Sequence, residues 1–113
     1  MTQPAPRLLL PQADAYSIPR GGLIITRYLG PTDHKGSRVA ATYQRDNETT
    51  FRAVVPYEDE HGQLDAHYRA ALAVLQKVEA DNGHYAFSIQ AVGENADHYA
   101  FVMCAHCREG IPG

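Results

Sequence analysis

LDAHYRAALAVLQKV, residues 64–78, is the stretch that decides the fold. Leu64, Tyr68, Ala71, Leu72, Leu75 and Val78 recur at the three- and four-residue spacing of one stripe on a 3.6-residue helix. Arg69, Gln76, Lys77 and Glu79 fall largely outside that stripe. Asn82-Gly83 follows at once and supplies a stop, because glycine accepts the left-handed conformation that ends helices. Asp59 to Gln63 leads into the helix from the other side.

Working outward, the flanking segments read as strands. Upstream, Leu23–Leu29, Arg38–Gln44 and Thr49–Val55 are rich in Ile, Val, Thr and aromatic residues. The loop Gly30–Ser37 and the turn Asp46-Asn47-Glu48 separate them. Downstream, Tyr85–Val92 and Tyr99–Cys104 flank the hairpin loop Gly93–Asp97. HYAF occurs twice, at 84–87 and 98–101, which is too short a match for a repeat. The order β-β-β-α-β-β predicts an α+β domain, an antiparallel sheet with one packed helix in a two-layer sandwich. Four prolines within residues 1–20 make that segment an extended arm; residues 21–105 form the single domain and 106–113 a flexible tail.

Composition narrows the function classes. The 113 residues fit one domain, and 44% hydrophobic content excludes a disordered chain. No apolar run approaches the ~20 residues of a membrane span, and no targeting segment is read, which predicts a cytoplasmic protein. The charge is uneven. Residues 1–57 hold seven Lys or Arg against four acids, and residues 58–113 hold three against nine. Such a chain meets partners of opposite sign through its two halves.

Catalytic signatures are missing. The six histidines match no metalloprotease spacing. Cys104, His106 and Cys107 gather soft ligands, but the second Cys pair of a structural zinc site is missing, so no cofactor is expected and these three are weak metal candidates. Gly30–Ser37 has eight residues, longer than chain reversal requires, and lies beside Arg27, Lys35 and Arg38. These cations, with Tyr28, are the candidates for nucleic-acid contact. Glu58, Asp59 and Glu60 precede the helix, where its dipole favours acids. With Asp65, Tyr57 and Tyr68 they are the candidates for contact with a protein partner.

The block Ile24–Tyr43, IITRYLGPTDHKGSRVAATY, resembles the start of a family of small, uncharacterised phage, plasmid and mobile-element proteins with a TxYLxxTxxxGSRIxA pattern. Thr26, Tyr28, Leu29, Thr32, Gly36, Ser37, Arg38, Val39 and Ala41 carry the match, followed by Val55-Pro56-Tyr57 and by His67, Ala70, Ala71 and Leu72. The hairpin at 84–104 departs from the short members. The resemblance implies a mobile-element origin and brings no activity with it. That origin favours a non-enzymatic, anti-CRISPR-like inhibitor of a host defence complex that processes nucleic acid. Its expected partner is a host protein or ribonucleoprotein presenting a basic surface. A nucleic-acid-binding module and a zinc-stabilised protein are the alternatives, and the exposed sheet face allows a homodimer.

Overall fold

The computed structural model describes residues 9–18, 20–33, 35–57 and 62–107, the side chain of Cys107 excepted. A short 3-10 turn at Ala15–Ser17 precedes β1 (Gly22–Leu29), β2 (Arg38–Gln44) and β3 (Thr50–Pro56). The helix α1 (Gln63–Asn82) follows, then β4 (Tyr85–Glu94) and β5 (His98–Cys107). All neighbouring strands are antiparallel, and their spatial order is β3-β2-β1-β5-β4. The α+β class, the single packed helix and the predicted element order hold.

The sheet order has a mechanical cause. β3 and β4 are consecutive strands at opposite edges, and α1 is the link between them. Twenty helical residues span about 30 Å, enough to cross five strands spaced about 4.8 Å apart. The helix packs most closely on β1, β2 and β3 and only lightly on β4 and β5. It ends as the sequence predicts, with Gly83 at φ 78° and its N–H on the Glu79 carbonyl at 3.0 Å. The Glu79 carboxylate then accepts the Phe87 amide at 2.8 Å, which aims the chain into β4.

The buried stripe is rotated from the predicted one. Ala66, His67, Ala70, Ala71, Val74, Leu75 and Val78 face the sheet. Leu64 and Tyr68 are exposed, and Leu72 is half-buried. Ala71, Leu75 and Val78 of the predicted stripe are buried, but Ala66, His67, Ala70 and Val74 replace Leu64, Tyr68 and Leu72 on that face, where the small side chains let the helix lie close to the strands. Beneath them lie Ile24, Val39, Ala41, Ala53, Phe101 and Met103. Burying each of the larger ones contributes roughly 1.5–3 kcal/mol. Gly21 secures the start of β1: a Cβ there would lie 2.0 Å from the Met103 carbonyl oxygen.

Both strands of the final hairpin are longer than expected. β5 runs unbroken through His106 and Cys107, which pair with Ala86 and Tyr85. His106 therefore belongs to the sheet and not to a loose tail. A register shift between Ile89 and Ala91 interrupts the β4 ladder.

Candidate functional site

Two surfaces stand out: the sheet face away from α1, and a cleft at the start of α1. Strand alternation builds the first. Ile24, Thr26, Val39, Ala41, Phe101 and Met103 point to the helix, so their neighbours point away. On the outer face Arg27 lies opposite Ala40 and His98, Ile25 opposite Thr42 and Ala100, and Leu23 opposite Val102. Thr42 in turn pairs with Arg52, Ala40 with Val54, and Leu29 with Arg38.

The result is an apolar centre with a basic margin. Leu23, Ile25 and Val54 keep 48%, 43% and 39% of their surface in solvent, and no other described element covers them. Arg27, Arg38 and Arg52 share this face. The Arg27 Nε and Nη2 meet His98 Nε2 at 3.1 and 3.0 Å, which fans the guanidinium across β5. Glu94 is the sole acid in the five strands; it pairs with Tyr99 and, at the end of β4, borders both the helix side and the outer-face hollow beside Ile25 and Arg27.

The expected nucleic-acid set divides here. Arg27 and Arg38 come together, as a residue and a diagonal neighbour across β1 and β2. Tyr28 does not join them. It points to the other face, packs edge-on against Tyr57 at 5.4 Å and bonds Ser37 Oγ at 2.8 Å. A base-stacking platform needs rings beside its cations, and this face offers no Tyr or Phe at its strand positions. Lys35 sits in a turn closed by Thr32 N–H to the Lys35 carbonyl at 2.7 Å and Lys35 N–H to Thr32 Oγ1 at 3.0 Å. The Ser37 carbonyl accepts the Tyr57 amide at 3.0 Å. Thr32 and Ser37 thus shape the loop whose turn chemistry stands out in the sequence. His34 lies outside the described residues.

The expected protein-contact set is also dispersed. Glu58, Asp59 and Glu60 lie outside the described residues, as does His61. Asp65 is paired with Arg69 at 3.2 Å. Tyr57 packs against Tyr28, while Tyr68 is 6.1 Å from the Phe101 ring. Tyr68 and Leu64 line an apolar groove with Ile89, Val92 and Phe101, left open because α1 barely reaches β4. For the metal candidates, Cys104 is a free thiol 3.7 Å from the Arg20 carbonyl, and His106 Nε2 is bonded to Ser88 Oγ at 2.8 Å. Among the described residues no three His, Cys, Asp or Glu side chains converge.

The second surface centres on His67, one of the six histidines, whose spacing in the sequence assigns it no chemical role. His67 is 1% exposed, and its Nδ1 lies 2.6 Å from Thr26 Oγ1. Thr26 Oγ1 also reaches the Tyr99 carbonyl at 3.4 Å. Burial pushes the His67 pKa below its usual value, so the ring is neutral at neutral pH. The Tyr99 ring lies against it at 4.5 Å, and burial together with the Glu94 carboxylate raises the Tyr99 pKa. Above them opens a cleft of about 740 Å³ between the first turn of α1 and the β4–β5 hairpin. Thr26 and His67 lie 41 residues apart, and this buried hydrogen bond joins β1 to α1. The available signal was the position of His67 on the alanine stripe, three residues before Ala70 and seven before Val74.

Comparison of the chain with known protein families, with characterised proteins and with solved structures finds no match.

Proposed function

We propose that the chain is a non-enzymatic binding protein of a mobile element that blocks a host defence complex acting on nucleic acid, in the manner of an anti-CRISPR protein. It docks through the outer sheet face, onto a host protein surface that is apolar at its centre and acidic at its edge. The observation that supports this is the composition of that face: exposed Leu23, Ile25 and Val54 within a margin of Arg27, Arg38 and Arg52, with Glu94 the one strand carboxylate at its border. Apolar residues at the centre supply affinity, and the arginines supply orientation and association rate. This reading moves the contact away from the acidic stretch at 58–60, whose neighbours Asp65 and Tyr57 already have partners.

The same arginines favour one second reading, contact with nucleic-acid phosphates. Nuclease separates the two, because both readings engage the arginines and both weaken with salt. Capture of host proteins on the immobilised chain after nuclease treatment, lost in an Ile25→Glu/Val54→Glu double variant, is the expected result. Capture that disappears with nuclease transfers the face to nucleic acid.

A further inference from the structure

The cleft at the start of α1 contains a buried polar atom with nothing bonded to it. His67 Nε2 is buried with no hydrogen-bond partner among the described residues, and His67 lines a cavity together with Gln63, Glu94, Asp97 and Tyr99. An unmade bond at a buried nitrogen costs about 1–3 kcal/mol, and such atoms call for an explanation.

Thr26 fixes what that nitrogen can do. Its hydroxyl has one proton and touches both His67 Nδ1 and the Tyr99 carbonyl. Both contacts are hydrogen bonds in one arrangement only: Nδ1–H donates to Thr26, and Thr26 donates onward to Tyr99. Nε2 then carries a lone pair, and a group that reaches it must bring a donor. The remaining walls agree. The Glu94 carboxylate, which interacts with the Tyr99 hydroxyl, and Asp97 outnumber Arg27, whose guanidinium is turned onto His98. The Tyr28 and Tyr99 rings border the same space, and aromatic faces attract cations. The volume suits a small organic molecule.

We propose that this cleft binds an organic cation bearing N–H donors, an ammonium or a guanidinium, with His67 Nε2 and the Glu94 carboxylate as acceptors. The group arrives either as a free amine or as the Lys or Arg side chain of a protein. The cleft shares Arg27 and His98 with the outer sheet face, but cation binding there does not depend on a partner docking on that face.

The test is imidazole-¹⁵N NMR of the full chain, titrated with agmatine, with the peptide Gly-Arg-Gly and with inorganic phosphate. The proposal requires an unprotonated Nε2 at His67 in the free protein. It also requires a saturable shift of that resonance with Kd about 1 mM or tighter for agmatine or the peptide. Glu94→Gln, at an exposed strand end, weakens that binding about tenfold, the loss expected for one charge-assisted bond. Tighter binding of agmatine identifies a free amine as the source, and tighter binding of the peptide identifies a side chain. A protonated Nε2, no saturable shift from either cation, or phosphate binding as tightly as both, overturns the proposal.

Discussion

At the scale of the residue, the pair that matters most is Thr26 and His67. It places two polar side chains in a core otherwise made of aliphatic and aromatic groups. Such a pair adds little net stability when made and costs a good deal when broken, because the partner left behind is buried and unsatisfied. Thr26→Val keeps the shape of the side chain and strands His67 Nδ1. It is expected to cost about 1–3 kcal/mol by urea denaturation, against less than about 0.5 for Thr42→Val on the outer face. The pair also predicts a pH dependence. The unfolded histidine titrates near 6.5, and the folded ring takes its proton at a lower pH. Between those two values the unfolded chain binds more protons. The stability is therefore fully present above pH 6.5 and is lost as the pH falls through the folded value. The wild-type unfolding free energy should drop more steeply than that of His67→Gln below that point, by up to about 1.4 kcal/mol per pH unit. Parallel curves would mean that His67 titrates alike in the folded and unfolded states, which contradicts the lowered folded value.

At the scale of the element, α1 is set by its small face. Leu75→Ala, at a buried position, should cost about 2–5 kcal/mol, whereas Leu64→Ala, at a position 50% exposed, should cost less than about 0.5. Equal costs would restore the predicted stripe. The first strand has its own test. Gly21→Ala forces a methyl group onto the Met103 backbone and is expected to lower stability by about 1–3 kcal/mol, while Gly36→Ala, with open space around it, changes little. The elements themselves were legible because each carries its local signal: β-branched runs for β1 to β3, the Asp46 turn, and Gly83 at the helix end. Asp46 behaves as expected, accepting the Glu48 and Thr49 amides at 2.8 Å each, and these bonds hold its carboxyl below the usual carboxylate range. The rotation of the stripe was not legible from apolar size alone. Alanine reads as neutral until a sheet is placed beneath it, and a histidine on that side reads as polar until Thr26 is found across from it.

At the scale of the whole molecule, one helix packs on one side of a five-stranded sheet, and among the described residues no second layer covers the other side. The two-layer architecture followed from the element order, but the candidate surfaces did not. Arg27 and Arg38 come together only through the β1–β2 register, and Arg52 joins them only through β2–β3. Residues adjacent in sequence were separated instead: Arg27 and Tyr28 look to opposite faces because alternation in a strand requires it. The function proposed above rests on that outer face, so the decisive measurement is partner capture. Wild-type chain and the Ile25→Glu/Val54→Glu variant, shown to share one circular-dichroism spectrum and melting profile, are immobilised. Both are exposed to nuclease-treated host lysate, and retained proteins are identified by mass spectrometry. A defence complex held by the wild type and absent from the variant is the expected result. The same complex on both, or none on either, would contradict it.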